Sequence, residues 1–114
     1  MNETMPNPSF DELSLLHANI CQALGDPKRI MMLYALHEQP RHVSALAADL
    51  NMPQPTVSRH LGVLRDRGLV QTERNGTAVV YTLTDGRMIE VLNTMRQILR
   101  DVLEQQSGVL IGNQ

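Results

Sequence analysis

The feature of this sequence that most constrains its fold is a pair of short apolar helices joined by a tight turn and followed by a hairpin signal. Residues 43–50 and 54–67 place apolar side chains at helical spacing, with Asn51-Met52-Pro53 between them. Further on, two β-prone runs flank Asn75-Gly76, a dipeptide in which both residues tolerate positive φ. A helix-turn-helix followed by a hairpin predicts a winged helix-turn-helix domain.

The remaining segments extend this pattern to a mainly α fold with one small β-hairpin. Capping residues, apolar periodicity and glycine or proline breaks set the predicted bounds. The predicted elements are helices over residues 9–25, 27–39, 43–50 and 54–67, strands over residues 69–74 and 78–83, and a last helix over residues 85–106. The expected order is therefore ααααββα, with one domain over residues 9–106 and flexible tails over residues 1–8 and 107–114.

Bulk properties exclude several classes of protein. The longest apolar run, residues 30–36, is far shorter than the roughly 20 residues of a membrane span. The start of the chain lacks the layout of a secretory signal, and Cys21 is the only cysteine, so no internal disulfide is possible. We expect a cytoplasmic protein that does not interact with membranes.

The net charge of −2 is unusual for a DNA-binding protein, but the charges are unevenly distributed. Residues 1–26 carry acidic residues and no lysine or arginine, whereas residues 54–82 carry four arginines against Asp66 and Glu73. A dimer presents this basic segment twice, which is enough to reach DNA phosphates.

The sequence resembles the ArsR/SmtB family of bacterial repressors over roughly residues 13–104. Three stretches in this order and spacing carry the resemblance: Ala23-Leu24-Gly25-Asp26-Pro27-Lys28-Arg29-Ile30, Gln54-Pro55-Thr56-Val57-Ser58-Arg59-His60-Leu61 and Leu64-Arg65-Asp66-Arg67-Gly68-Leu69-Val70. The resemblance implies a homodimeric transcriptional regulator, most simply a repressor, that binds a palindromic operator.

A recognition helix places the polar residues of its N-terminal half against base edges in the major groove. The expected DNA-binding residues of the fourth helix are Gln54, Thr56, Ser58, Arg59 and His60. In the family the wing lies along DNA, which adds Arg74 and Thr77 as expected contacts. Lys28, Arg29 and Arg41 are alternatives for flanking phosphates or are ordinary surface charges.

The last helix carries two adjacent apolar stripes, which is more than a monomer usually buries. Family members dimerise through the first and last helices, and this pattern agrees with that arrangement. The residues expected in the dimer interface are Leu13, Ile20, Met88, Leu92, Met95, Leu99 and Val102.

The residues that bind metal in related sensors are absent, because the third helix lacks cysteines and Arg87 stands where a ligand is expected. His17 and Cys21 lie four residues apart and are the remaining weak candidates for a metal site. Cys21 alone could also respond to oxidants through a sulfenate or an intersubunit disulfide. We expect no cofactor, and the sequence assigns no small-molecule or redox effector.

Two other classes of function compete with DNA binding. An enzyme is disfavoured because the sequence has no Gly-rich phosphate loop, nucleophile elbow or zinc-protease motif. A winged-helix module that binds protein would not need its polar, net-positive residues gathered on one face.

Overall fold

The computed structural model describes the backbone of residues 5–110 and the side chains of residues 5–107. They fall into two compact units, one extending to Thr84 and one beginning at Asp85. No helix within the described part of the chain combines the length and apolar character needed to cross a membrane. Of the predicted tails, residues 5–8 are exposed and irregular, while residues 1–4 and 111–114 lie outside the described residues.

The first unit begins with α1 (Phe10–Leu16), whose N-cap is Ser9 as the sequence predicts. The Ser9 hydroxyl accepts a hydrogen bond from the backbone N–H of Glu12 at 3.1 Å. The single helix predicted over residues 9–25 is not continuous, because a π-helical turn (His17–Cys21) and a 3₁₀ turn (Ala23–Gly25) follow α1. The Asn19 amide donates to the Leu15 carbonyl at 2.8 Å, and this bond competes with the regular helical pairing of that carbonyl.

Helix α2 (Pro27–Glu38) begins and ends as the sequence predicts. The Asp26 carboxylate accepts from the backbone N–H of Lys28 at 2.8 Å, and Pro27 occupies the first turn, where its missing N–H costs nothing. Gln39, the residue before Pro40, is extended and ends the helix.

The helix-turn-helix consists of α3 (Val43–Leu50) and α4 (Gln54–Asp66). Asn51 makes the sharp turn between them in the left-handed conformation, with φ 56°. Pro53 and Pro55 flank Gln54, the first residue of α4. The first turn of a helix tolerates proline because backbone N–H groups there have no helical acceptor, so the missing N–H costs no hydrogen bond.

The hairpin consists of β1 (Val70–Asn75) and β2 (Ala78–Leu83), paired antiparallel. Asn75 pairs with Ala78, so the two-residue turn is Gly76-Thr77 and not the predicted Asn75-Gly76. Gly76 alone supplies the positive φ, 68°, that a turn with glycine in its first central position requires. The predicted hairpin is confirmed, with its turn moved by one residue.

The core of the first unit lies between α2, α3, α4 and the base of the hairpin. Its largest fully buried side chains are aliphatic: Met32, Leu33, Leu46, Val57, Leu61, Leu64 and Val70. Burying one such side chain stabilises the fold by roughly 1.5–3 kcal/mol, so three of them from α4 fix which face of that helix remains exposed.

The second unit is α5 (Arg87–Leu110), which continues beyond the predicted end at Gln106. Asp85 caps it, accepting from the backbone N–H of Arg87 at 2.9 Å and from its guanidinium at 2.7 Å. These hydrogen bonds with Arg87 lower the pKa of Asp85 to about 2. Over the described residues, the order of five α-helices and one two-stranded hairpin confirms the predicted fold class.

Candidate nucleic-acid interface

Helix α4 presents one polar exposed face and one fully buried apolar face. Val57, Leu61 and Leu64 are 0% exposed and anchor the helix in the core. Of the predicted reading residues, Gln54, Ser58 and Arg59 are exposed, while Thr56 is half-buried at the edge of the face. Amide, hydroxyl and guanidinium groups are the groups that hydrogen-bond to base edges in a major groove.

His60 does not lie on this face, so its predicted place among the exposed polar residues is wrong. Its side chain is 7% exposed, and its Nδ1 lies 3.2 Å from a guanidinium nitrogen of Arg29 in α2. The reason is geometric: at 100° per residue, position 60 falls between the buried positions 57 and 64 and the half-buried Thr56.

Two arginines considered for flanking phosphates are engaged inside the protein. Arg29 hydrogen-bonds to His60 and to two backbone carbonyls. The Arg41 side chain is only 10% exposed and pairs with Glu38 and Asp49. Lys28, in contrast, is exposed.

Strand β1 leaves the core after Val70, whereas Tyr81 of β2 remains buried. Every side chain of β1 from Gln71 to Asn75 is exposed, although successive residues point to opposite faces. Arg74 and Thr77, the two predicted wing contacts, are both exposed near its tip. The backbone N–H of Leu69 donates to the carbonyl of Leu64 at 2.9 Å, which ties the base of the wing to the end of α4.

The exposed charge of this region is mainly basic. The arginines on α4, at its end and on the wing are all exposed: Arg59, Arg65, Arg67 and Arg74. Asp66 and Glu73 are the acidic residues among them. A net-positive surface around a polar helix face matches the charge of a DNA backbone.

Comparison with known proteins decides the family. A family model described as "Bacterial regulatory protein, arsR family" matches residues 26–72, from the start of α2 into β1. The chain is 36% identical over 81 residues to a biofilm growth-associated repressor of Xylella fastidiosa, and the match covers 71% of each protein. The chain belongs to the ArsR family of bacterial regulatory proteins.

Solved structures agree with this membership. The crystal structure of Rv0081 from Mycobacterium tuberculosis matches with a TM-score of 0.74 and 33% identity, over 83% of this chain and 96% of that one. A Mycobacterium bovis protein, Mb0332, matches with a TM-score of 0.72 and 27% identity, over 89% of this chain and 95% of that one. It is described as a homodimeric winged helix-turn-helix DNA-binding domain. The resemblance seen in the sequence is confirmed, and with it a regulator rather than an enzyme.

This ArsR-family chain exposes apolar side chains on α1 and, separately, on α5. Among the predicted interface residues, Leu13, Met95, Leu99 and Val102 are 45–55% exposed. Ile20 and Met88 are half-buried. Leu92 is buried, with 3% of its surface exposed, and its place in the interface stays a prediction. Further exposed apolar residues belong to the same two helices: Phe10, Leu15, Leu16, Val91, Ile98 and Leu103.

The two candidate metal ligands of the sequence lie at the ends of the π-helical turn. His17 and Cys21 are both exposed. Among the residues with described positions, no three His, Cys, Asp or Glu side chains converge into a group that could hold a metal ion. The pair therefore has no third ligand from its own described chain.

Proposed function

We propose that this ArsR-family protein is a homodimeric transcriptional repressor whose two α4 helices read a palindromic operator. One observation carries the proposal: α4 is anchored by three fully buried side chains and holds Gln54, Ser58 and Arg59 outward beside an exposed wing. A rigid helix with polar groups on its open face is the arrangement that reads base edges. Because DNA is the partner, the site of action is the cytoplasm.

The reading residues have distinct expected roles. Arg59 matches guanine, Gln54 matches adenine, and Ser58 and Thr56 match either a base or a phosphate. Arg74 and Thr77 on the wing contact the flanking backbone or minor groove. His60 is left out of the proposed contacts because it is buried.

Dimerisation follows from the apolar faces of α1 and α5. Each exposes more large aliphatic side chains than a monomer in water usually leaves open, and Mb0332 is described as a homodimer. A two-fold axis would place two α4 helices in successive major grooves, and it predicts a palindromic operator. An effector would act by changing the angle between the two reading helices, since operator spacing fixes that angle.

The test is selection of bound duplexes from a random pool, in low salt with reductant present. We expect an imperfect palindrome whose half-sites lie about one helical turn apart. Arg59→Ala is then compared on the selected duplex with Arg100→Ala, which removes an exposed arginine from α5. Only Arg59→Ala should weaken binding. Recovery of no sequence above background, with no salt-dependent binding, would support a protein-binding module instead.

A further inference from the structure

The Arg29 side chain connects three parts of the first unit. Its Nε donates to the Ala23 carbonyl at 2.7 Å, and its Nη2 donates to the Gln22 carbonyl at 3.1 Å. Its Nη1 lies 3.2 Å from Nδ1 of His60 in α4. A planar guanidinium with donors pointing in fixed directions holds its acceptors in one geometry.

We call residues 10–25, which contain α1 and the π-helical and 3₁₀ turns after it, the N-terminal helical segment. The two carbonyls lie near its end. Gln22 closes the π-helical turn by donating to the His17 carbonyl at 2.9 Å, and Ala23 begins the 3₁₀ turn. The Gln22 carbonyl also accepts from the backbone N–H of Gly25 at 3.1 Å, and a carbonyl oxygen has two lone pairs for two donors. Arg29 adds a donor to both carbonyls, so the end of this segment is hydrogen-bonded to the same side chain as α4.

The hydrogen bond fixes the protonation of His60. A guanidinium only donates, so Nδ1 of His60 must accept and the ring proton lies on Nε2. Nε2 is 3.8 Å from the Asp26 carboxylate. A neutral ring with this tautomer fits both neighbours, whereas an imidazolium would direct a second N–H at the guanidinium.

We propose that Arg29 and His60 are positioning residues: their hydrogen bond sets the orientation of α4 against the N-terminal helical segment and thereby the affinity for DNA. The inference rests on the proposed function, since α4 is its reading helix. Arg29 reaches α4 and the N-terminal segment simultaneously. A shift at residues 17–23 is therefore transmitted to the reading helix through one side chain.

The same bond makes DNA binding sensitive to acid. Burial lowers the pKa of His60, Asp26 raises it, and the positive charges of Arg29, Arg59 and Lys28 lower it further. The other elements packed on α4 also carry charged groups. Among these, Asp49 of α3 is paired with Arg41. Glu73 and Arg74 of β1 are exposed. When acid protonates His60, Nδ1 stops accepting, and the bond to Arg29 is lost.

The experiment measures affinity for the selected duplex with wild type, His60→Leu and His60→Asn. Leucine removes the acceptor, whereas the asparagine carbonyl stands close to the position of Nδ1 and does not titrate. At about pH 7.5 we expect His60→Leu to bind about tenfold more weakly and His60→Asn to bind within about threefold of wild type. His37→Asn, at an exposed histidine of α2, is the matched control.

The pH profile separates positioning from simple structural support. Wild type and His37→Asn should lose about tenfold in affinity as the pH falls from about 7.5 to about 5, while His60→Asn should stay nearly flat. Nitrogen NMR of the wild-type ring should show an accepting Nδ1 at neutral pH. Circular dichroism at each pH shows whether the variants remain folded.

Several outcomes would overturn the inference while leaving the proposed function intact. They are a wild type that binds the duplex with a flat pH profile, a His60→Asn profile equal to wild type, or an Nδ1 that carries the proton. A double-mutant cycle adds a further one: Arg29→Gln and His60→Leu should not be additive, and additive losses would show independent roles. A wild type that binds no duplex would instead overturn the proposed function.

Discussion

Arg41 and Tyr81 exchange both of their backbone hydrogen bonds, at 3.1 and 2.8 Å, and so join the residue just ahead of the helix-turn-helix to the middle of the wing. The Arg41 side chain then turns back to Glu38 and Asp49. One residue therefore ties together the end of α2, helix α3 and strand β2. Arg41 therefore supports the fold, whereas the exposed arginines of α4 and the wing are open to contact with DNA.

Arg41→Ala should lower the free energy of unfolding by about 1 kcal/mol, because a largely buried side chain loses two ion pairs with exposed acids. Urea denaturation measures this change. Arg65→Ala is the matched control, since Arg65 approaches Asp66 only at 3.9 Å and both are exposed. The salt dependence of DNA binding should be the same for Arg41→Ala as for wild type. A shallower salt slope would place Arg41 on a phosphate.

Arg59→Ala should weaken binding to the selected duplex by about 1–3 kcal/mol if Arg59 reads a guanine. The loss should disappear on a duplex in which that base pair is changed, and titrations on both duplexes measure it. An equal loss on every duplex would instead make Arg59 a phosphate contact.

Arg74→Ala should weaken binding to all sequences and reduce the slope of log affinity against log salt concentration by about one.

How far the sequence predicts this structure depends on the range of the interaction. Val57, Leu61 and Leu64 were predictable because helical periodicity is local. The same periodicity places His60 beside Val57 and Leu64, but its polar side chain groups it with the predicted reading residues. Its pairing with Arg29 was not predictable, because that residue lies 31 positions away. The turn at Gly76-Thr77 differs by one residue from the prediction because Asn-Gly permits two registers. Only the strand pairing decides between them.

Gly62 lies in the middle of α4, and a methyl group there would meet no atom within 4 Å beyond its own helix backbone. Gly62→Ala should therefore raise the free energy of unfolding by about 0.4–1 kcal/mol, because alanine loses less backbone entropy. If α4 enters the major groove as proposed, the added methyl group should weaken DNA binding, because it stands between the helix and the DNA. Denaturation and duplex titration measure the two effects. Tighter binding would argue against close approach of DNA at this position.

Leu99→Glu should convert the dimer to a monomer, because it places a charge in the exposed apolar stripe of α5. Light scattering during size-exclusion chromatography measures the mass. Gln97→Glu is the control: it adds the same charge beside Asn93 and Arg100, on the polar side of the helix. The monomer should also bind the palindrome more weakly than wild type. A dimeric Leu99→Glu protein would exclude this stripe from the interface.

Asp85→Asn should flatten the acid limb of the stability curve. The hydrogen bonds with Arg87 hold the pKa of Asp85 at about 2, below its ordinary value of 3.8. The unfolded chain therefore binds this proton before the folded chain does, so the contribution to stability is present above about pH 4 and is lost as the pH falls towards 2. Asparagine keeps an oxygen for the backbone N–H of Arg87 but does not titrate.

Thermal unfolding at a series of pH values should show a shallower decline in stability for Asp85→Asn than for wild type between about pH 4 and pH 2. Asp101→Asn, at an exposed aspartate further along α5, is the control and should follow the wild-type curve. Parallel curves for wild type and Asp85→Asn would mean that the Asp85–Arg87 pair does not persist in solution.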